Sequence, residues 1–232
     1  MAVIPIIAKV MPTDAVEELN DSSAEPFIRG FLHTSAAPNG NGLVLTHSAG
    51  GNCRAKLLVA IAGAFAAAGF LVLRCDLPFR QKRPKGPPHP SGAAQDRQGL
   101  RRAILAMKGK ITGRALLGGH SYGGRQASML AAEAPELVAG LLLLSYPLHP
   151  PRDASNLRVN HFPKLITPAL FVHGSHDPFA SSAEMQSALE LIPGPKMLLE
   201  IEGAGHDLLS GKNSAHLPAR ILEAFLACVH AP

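Results

Sequence analysis

Tryptophan is absent from this chain of 232 residues, and cysteine and charged residues are scarce. The three cysteines, Cys53, Cys75 and Cys228, each lie in an apolar or helical stretch of sequence. Their small, odd number argues against a disulfide framework and favours buried reduced thiols, so we expect a cytoplasmic protein. Charged residues make up 17% of the chain and apolar residues 47%, a balance that argues against disorder on a large scale.

Long apolar runs and metal-ligand spacings are also missing. The first ten residues are apolar, but Pro5 and Lys9 interrupt them, and neither a basic leader nor a small-residue cleavage site accompanies them. We therefore predict no signal peptide and no membrane segment. Because spacings such as Cys-x-x-Cys and His-Glu-x-x-His do not occur, we expect no bound metal.

Strand and helix patterns alternate along most of the chain. This alternation predicts an α/β fold with a mostly parallel central sheet and helices on both faces. Residues 1–23 carry no clear period and are predicted to be an N-terminal extension, followed by a single domain over residues 24–232. The predicted strands are 27–34 (at the sheet edge), 42–46, 70–73, 115–118, 138–145, 168–173 and 196–201. The predicted helices are 53–68, 96–107, 124–134, 183–191 and 215–229.

The segment Gly119-His120-Ser121-Tyr122-Gly123 stands where a strand pattern turns into a helix pattern. A Gly-x-Ser-x-Gly sequence in that position is typical of a nucleophilic serine, because a sharp turn pushes the hydroxyl out above the sheet. The glycines suit such a turn, since a Cβ at either position would clash with the neighbouring strand and helix. By itself the pattern also fits a serine that merely caps a helix, so the later residues decide.

An acid and a histidine follow at the ends of later strands. Asp177 follows the predicted strand 168–173, and His206 lies in a loop of small residues after the strand 196–201. The order serine, acid, histidine is the one that a catalytic triad takes in this architecture. We therefore expect Ser121, Asp177 and His206 to form a triad.

Other residues compete for two of these roles. Asp153 is a rival acid, but it follows its strand by a longer loop than Asp177 does. His173 and His176 both lie close to Asp177 in the chain, and His173 falls within a strand end, where a structural role is expected. These positions favour Asp177 as the acid and His206 as the base.

An acyl-transfer site also needs two backbone N–H groups directed at the developing oxyanion. One is expected from Tyr122, directly after the serine. The other is expected from Ala49, in the small-residue loop 47–52 that follows the strand 42–46. Small residues let the backbone of such a loop approach a substrate closely.

The main charge feature is the segment 79–90, which contains four arginines and lysines, one histidine and four prolines. The prolines predict an extended path past the carboxyl end of the sheet. The segment is then either a solvated basic loop or a flap whose Arg80 or Arg83, with Arg125, attracts a carboxylate or phosphate of the substrate. His120 is a further candidate for substrate contact.

The net charge of +5 also fits an acidic partner. Interleaved aromatic residues and a helix able to read bases are missing from the sequence, however. We therefore expect no nucleic-acid partner.

The sequence resembles the α/β-hydrolase superfamily, in particular its dienelactone-hydrolase-like branch and, more closely, the group that contains the KANL3 and Tex30 hydrolase-like domains. The resemblance runs from about residue 42 to the C-terminus and implies the fold and the positions of the triad, but little about the substrate. One position departs from the family pattern: Ser48 stands where the superfamily usually has a glycine directly after the histidine of this loop. The resemblance rests on His47-Ser48-Ala49-Gly50-Gly51, Arg74-Cys75-Asp76-Leu77-Pro78-Phe79-Arg80, Gly119 to Arg125, Tyr146-Pro147-Leu148-His149-Pro150-Pro151, Phe171 to Phe179, and Gly205-His206.

These features predict a serine hydrolase that cleaves a small ester, thioester or activated amide through an acyl-enzyme on Ser121, without a cofactor. A small substrate is expected because no long insertion between Ser121 and Asp177 could build a large cap. The alternative is a hydrolase-like scaffold that binds a partner and has little or no catalysis, since some members of the group are subunits of chromatin complexes. The sequence leaves the acyl group, the leaving group and the oligomeric state open.

Overall fold

The computed structural model describes residues 15–209 and 216–230, in which eight strands form one sheet. Across the sheet the strands lie in the order β1-β2-β4-β3-β5-β6-β7-β8. β2 is antiparallel to both of its neighbours, β1 and β4, and all other neighbouring strands are parallel. The predicted α/β fold with a mostly parallel sheet is confirmed. In chain order, β1 to β8 are Ala15–Asp21, Ile28–Thr34, Gly42–Thr46, Leu71–Cys75, Ala115–His120, Leu141–Leu144, Ala169–Gly174 and Lys196–Ile201.

Six α-helices accompany the sheet, and no large cap covers its carboxyl edge within the described part of the chain. None of these helices is long and apolar enough to cross a membrane. Residue 215, where the last helix was predicted to begin, lies outside the described residues. In chain order, α1 to α6 are Lys56–Ala67, Pro78–Lys82, Ala93–Lys108, Tyr122–Glu133, Ser182–Leu189 and Leu217–His230.

Helices cover both faces of the sheet because successive strand residues point to opposite sides. In β6, Leu141 and Leu143 belong to the core that also contains residues of α3, α4 and α5. Leu142 and Leu144 belong to the second core, together with residues of α1 and α6. All four leucines are fully buried, and burial of each stabilises the fold by about 1.5–3 kcal/mol. A strand buried on both sides therefore appears in the sequence as an unbroken apolar run.

The two edge strands of the sheet are β1 and β8, and the prediction that residues 27–34 form an edge was wrong. β1 pairs with β2 along its whole length, from Ala15 opposite Thr34 to Asp21 opposite Ile28. Residues 15–21 therefore belong to the sheet and not to an extension. Their side chains are mostly exposed, so this pairing by backbone bonds left no apolar period in the sequence. Residues 1–14 of the predicted extension lie outside the described residues.

The segment 79–90 begins in a helix, which corrects the extended path predicted for it. Pro78 occupies the first turn of α2, where its missing N–H costs no hydrogen bond. The N–H of Arg80 donates to the carbonyl of Leu77 at 2.8 Å, and that of Arg83 donates to the carbonyl of Phe79 at 3.1 Å. The helix ends there because the remaining prolines of the segment all follow Arg83.

Candidate active site

Ser121 lies in a strained turn between β5 and α4, with φ 53° and ψ −115°. Its N–H donates to the carbonyl of Leu144 at 2.8 Å, which ties the turn to the neighbouring strand. A Cβ on Gly119 would lie 2.5 Å from the backbone carbon of Gly123, and one on Gly123 would lie 2.5 Å from the carbonyl oxygen of His47. Glycine is therefore required on both sides of the serine, as the sequence indicated.

The three residues predicted as a triad are joined by hydrogen bonds. His206 Nε2 lies 2.8 Å from Ser121 Oγ, and His206 Nδ1 lies 2.8 Å from Asp177 Oδ2. An ionised carboxylate only accepts hydrogen bonds, so Nδ1 carries the proton and Nε2 accepts the serine hydroxyl. The Asp177 side chain is fully buried, whereas that of His206 is 23% exposed. This arrangement can take the proton from Ser121 and keep the resulting imidazolium beside a negative charge.

The competing residues lie elsewhere. Asp153 is exposed, and its carboxylate accepts a hydrogen bond from the hydroxyl of Ser155 at 2.7 Å. His173 is completely buried in β7, where its Nε2 lies 3.0 Å from the carbonyl oxygen of Ala180. Burial lowers the pKa of His173, which fits a neutral structural histidine. His176 is exposed. Within the described part of the chain, no hydrogen bond joins its ring to Ser121, Asp177 or His206.

The two candidate oxyanion donors, Tyr122 and Ala49, line the same cavity as Ser121. The N–H of Tyr122 is at the first position of α4, where helix geometry provides no acceptor. The Ala49 loop is held by the buried His47, whose Nδ1 donates to the carbonyl of Ser48 at 2.8 Å and whose Nε2 accepts the N–H of Leu77 at 3.1 Å. Burial lowers the pKa of His47, so the ring stays neutral and keeps this donor and acceptor pattern.

Arg80 does not face the cavity, contrary to its prediction as a substrate contact. Its side chain is buried, and its guanidinium donates to the carbonyls of Gly51 and Ala49, each at 2.8 Å, and of Gly86 at 3.0 Å. A guanidinium presents five donors, and a cluster of carbonyl oxygens satisfies them as well as an anion can. Arg80 therefore joins the Ala49 loop to the proline-rich segment.

The proline-rich part of segment 79–90 forms one wall of the cavity. Pro87, Pro88, His89 and Pro90 all line the cavity together with Ser121. Two further basic side chains of the segment bind elsewhere: Lys82 Nζ donates to the side chain of Gln95 at 2.8 Å, and Arg83 donates to the carbonyl of Pro87 at 2.6 Å. The segment thus borders the serine as a flap would, but it contributes three prolines and His89 to the wall and none of its arginines or lysines.

His120 also lies outside the cavity lining, although it was predicted as a substrate contact. Its Nε2 lies 2.8 Å from the carbonyl oxygen of His206, and the two rings are 5.3 Å apart. Burial lowers the pKa of His120 to about 4, so the ring is neutral near pH 7 and its Nε2–H donates to that carbonyl. The ring of Phe179 packs on His206 with the centroids 4.3 Å apart. His206 is therefore positioned by its neighbours as well as by Asp177.

The cavity over Ser121 has a volume of about 490 Å³ and a mainly apolar wall that includes Met129 and Phe179. Of the predicted contacts, Arg125 lines it. Arg158 and Gln126 also line it and were missed in the sequence. Gln126 could have been found, because it lies four residues after Tyr122 on the same face of α4.

Tyr122 is held in the wall by a buried acid that the sequence did not reveal. Its hydroxyl donates to Asp96 Oδ2 at 2.7 Å, while Asp96 Oδ1 accepts the N–H of Phe79 at 3.1 Å. Burial raises the pKa of Asp96, which is completely inaccessible to solvent. The rings of Phe79 and Tyr122 meet edge to face, 5.7 Å apart. Because these contacts fix Tyr122, they also fix the start of α4 next to Ser121.

Solved structures share this architecture. Dienelactone hydrolase from Anabaena variabilis ATCC 29413 is 23% identical and superposes with a TM-score of 0.71, over 92% of this chain and 97% of that one. XC6422 from Xanthomonas campestris, described as a serine hydrolase without a lid, is 17% identical with a TM-score of 0.70, over 95% and 98% of the two chains. Est1E from Butyrivibrio proteoclasticus is 15% identical with a TM-score of 0.72, over 92% and 99%. At these identities the similarity establishes the fold.

A family model described as the alpha/beta hydrolase domain matches residues 39–230, which is most of the chain. The match includes Ser121, Asp177 and His206 and all strands from β3 onward. The finer assignment to the KANL3 and Tex30 group stays a prediction. The chain belongs to the α/β-hydrolase family.

Proposed function

We propose that this hydrolase is a serine hydrolase that cleaves a small carboxylic ester, or a thioester or activated amide, through an acyl-enzyme on Ser121. The observation that supports the proposal most strongly is the unbroken line of hydrogen bonds from Ser121 through His206 to Asp177, with both distances 2.8 Å. The serine at its end borders an open cavity. A hydroxyl, a neutral imidazole and a buried carboxylate in this order make a nucleophile and its base.

The first half of the reaction forms the acyl-enzyme. His206 Nε2 takes the proton of Ser121 as Oγ attacks the carbonyl carbon, and Asp177 stabilises the imidazolium that results. The carbonyl oxygen becomes negative and accepts hydrogen bonds from the N–H groups of Tyr122 and Ala49. When the carbon–oxygen bond to the leaving group breaks, His206 returns its proton to the departing alcohol.

The second half releases the acid. Water enters the place of the alcohol and gives its proton to His206 as its oxygen attacks the acyl carbon. The same N–H groups hold the second oxyanion. Collapse of this intermediate breaks the bond to Ser121, and His206 reprotonates Oγ. One water is consumed, and one acid and one alcohol are formed, without a cofactor.

The cavity supports a substrate of small size. Its volume of about 490 Å³ and largely apolar wall fit a short acyl chain better than a polymer. A negative charge on the substrate belongs to the same proposal, because two arginines, Arg125 and Arg158, border the cavity.

A reducing compartment such as the cytoplasm is also part of the proposal. Cys53, Cys75 and Cys228 are all buried and free. Burial raises the pKa of the Cys53 thiol to about 12, so that it stays protonated and unreactive.

Labelling with a fluorophosphonate probe tests the proposal, with Ser121→Ala and His206→Ala as controls and hydrolysis of p-nitrophenyl acetate and butyrate measured in parallel. We expect the wild-type protein to be labelled and to turn over the esters, and both variants to lose labelling and turnover. Folded wild-type protein that neither takes the label nor hydrolyses the esters would overturn the proposal. That result would favour the alternative of a hydrolase-like scaffold that acts by binding a partner.

A further inference from the structure

Two arginines from different parts of the chain meet beside the candidate nucleophile. Arg125 lies one turn of α4 after Ser121, and its N–H donates to the carbonyl of Ser121 at 3.0 Å. Arg158 comes from the irregular segment between β6 and β7, where its N–H donates to the carbonyl of Leu148 at 2.8 Å. Both side chains line the cavity over Ser121 and also an adjoining cavity of about 540 Å³. The two guanidinium groups therefore stand at the border between the cavities.

No carboxylate neutralises this pair of charges. Across residues 15–209 and 216–230, neither guanidinium forms an ion pair with an aspartate or glutamate. Arg125 Nε is buried without a hydrogen-bond partner, and Arg158 donates only to the carbonyl of Pro147, at 3.2 Å, among the described side-chain bonds. Burial and the charge of Arg125 both lower the pKa of Arg158. Two like charges partly removed from water destabilise the empty site, and an anion between them would relieve that cost.

A second unpaired donor lies in the same wall. Gln126 is completely buried, and its Oε1 accepts a hydrogen bond from Arg97 at 3.1 Å. Arg97 also pairs with Glu133 at 2.9 Å, so the orientation of the amide is fixed from behind. Gln126 Nε2 is buried without an acceptor among the described residues, and Gln126 is one of the residues that line the cavity over Ser121. Buried donors are almost always paired, so this N–H group and Arg125 Nε call for an acceptor that residues 15–209 and 216–230 do not supply.

We propose that Arg125, Arg158 and Gln126 form an anion subsite that binds a carboxylate or phosphate group of the substrate. Carboxylates and phosphates accept several hydrogen bonds and match the planar fork of arginine. The subsite indicates the substrate class of the proposed hydrolase: an ester that carries an anionic group at some distance from its scissile carbonyl. This assignment rests on the proposed function for the reaction, whereas binding of an anion can be measured without turnover.

A probe for the subsite needs an anionic group and a scissile ester that fit together in the cavity of about 490 Å³. Arg125 begins the second turn of α4 after Ser121, so a short chain between the two groups suits the site. A half-ester of glutaric acid is therefore a suitable probe, because its carboxylate and its ester carbonyl lie at opposite ends of the chain.

The test compares mono-p-nitrophenyl glutarate with p-nitrophenyl valerate, a neutral ester with the same number of acyl carbons. We expect the ratio of their kcat/KM values to favour the anionic ester in wild-type protein and to fall about 10- to 100-fold in Arg158→Gln and in Arg125→Gln. Arg158→Lys keeps the charge but not the fork, so we expect an intermediate ratio. Arg152→Gln is the matched control, because Arg152 is an exposed cation of the same segment and lines neither cavity.

Inhibition of neutral-ester hydrolysis separates the two kinds of anion. We expect glutarate to compete in wild-type protein if the subsite takes carboxylates, and inorganic phosphate to compete if it takes phosphates. Each effect should weaken in Arg158→Gln and persist in Arg152→Gln. Wild-type preference for the neutral ester, or a ratio equal in Arg158→Gln, Arg125→Gln and Arg152→Gln, would overturn the subsite while leaving ester hydrolysis intact.

A protein without esterase activity still allows the subsite to be tested. We then expect glutarate or phosphate to raise the melting temperature of the wild-type protein and of Arg152→Gln, but not that of Arg158→Gln, because a ligand bound only to the folded state stabilises it. Equal shifts in all three proteins, or none, would overturn the subsite. Failure of the esterase assay combined with a selective shift would overturn the proposed reaction alone.

Discussion

His120 donates a hydrogen bond from its ring to the backbone carbonyl of His206, at 2.8 Å, and the two rings lie 5.3 Å apart. The residue before the candidate nucleophile thus holds the candidate base in place. The two residues come from the ends of different strands, β5 and β8, and Asp177 reaches His206 from the end of a third, β7. Because His120 remains neutral near pH 7, its ring does not compete with His206 for protons there.

Replacement of His120 by phenylalanine tests this positioning role. Phenylalanine keeps a ring beside His206 but has no N–H group to donate to the His206 carbonyl. The lost hydrogen bond is worth about 0.5–1.5 kcal/mol. We expect kcat for a p-nitrophenyl ester to fall about 3- to 10-fold with KM little changed. His176→Phe is the control, since His176 is exposed. Equal kcat values in His120→Phe and wild-type protein would show that the bond does not position His206.

Asp177→Asn tests the buried acid of the candidate triad. Asparagine preserves the shape of the side chain and can still accept the N–H of Phe179, which now donates to Oδ1 at 2.9 Å. Its amide cannot stabilise an imidazolium, and it can donate to His206 Nδ1 and so favour the wrong tautomer. We expect kcat to fall about 10³- to 10⁴-fold, as in other triads that lose their acid.

Asp153→Asn is the matched control for the acid, because Asp153 was the rival candidate in the sequence and is exposed. It should leave both kcat and the melting temperature unchanged. Circular dichroism of Asp177→Asn should match that of wild-type protein. A rate loss in Asp153→Asn comparable to that in Asp177→Asn would reassign the acid.

Gly123→Ala tests the turn that carries Ser121. The added methyl group would lie 2.5 Å from the carbonyl oxygen of His47, which belongs to the Ala49 loop. We expect a lower melting temperature and loss of fluorophosphonate labelling, because overpacking typically costs about 1–3 kcal/mol and displaces the loop or the serine. The comparison is Gly63→Ala, where a Cβ meets nothing within 4 Å in the middle of α1.

At Gly63 the same substitution should stabilise the protein by up to about 1 kcal/mol, because alanine favours the helix more than glycine does. Melting temperatures of the two variants, measured by calorimetry, should therefore move in opposite directions. A melting temperature of Gly123→Ala equal to or above that of wild-type protein would contradict the proposed steric requirement at the turn.

The sequence was informative wherever local chemistry sets the structure. Buried parallel strands leave unbroken apolar runs, so their ends could be placed, and residues at those ends meet at one edge of the sheet. Ser121, Asp177 and His206 could therefore be named together, although 85 residues separate the serine from the histidine. Gly119 could be interpreted for the same reason, since its Cβ would meet Gly123, which is close in sequence, whereas the clash at Gly123 is with His47 of a distant loop.

The remaining features depend on contacts between distant residues. Arg80 was predicted to contact the substrate, but the carbonyls of Ala49 and Gly51 that bind it belong to another loop. Arg158 lies in a segment without hydrophobic periodicity. Hydrogen bonds to its backbone hold it in place, including one from the Tyr146 hydroxyl to its carbonyl at 2.6 Å. β1 has exposed side chains on most positions, so only its pairing partner defines it. No pattern within these segments carries such information.

Buried histidines predict how stability depends on pH. Burial lowers the pKa values of His33, His120 and His161 to about 4 each, from the ordinary value of 6.5. In the unfolded chain these rings take up protons below about pH 6.5, whereas in the folded protein they remain neutral down to about pH 4. Through these three rings alone the unfolded state binds up to three more protons in this window, and their contribution makes the free energy of unfolding fall as the pH falls from 6.5 to 4.

Urea unfolding at pH 7, 6 and 5 measures this slope, which each excess proton steepens by up to about 1.4 kcal/mol per pH unit. His161→Gln should reduce the slope by about one proton, because glutamine does not titrate but can still bond the Ser128 hydroxyl, which now lies 2.8 Å from the His161 ring. His176→Gln, the same substitution at an exposed position, is the matched control. Stability that stays constant from pH 7 to 5 would show that the buried rings take up protons as readily in the folded state as in the unfolded one.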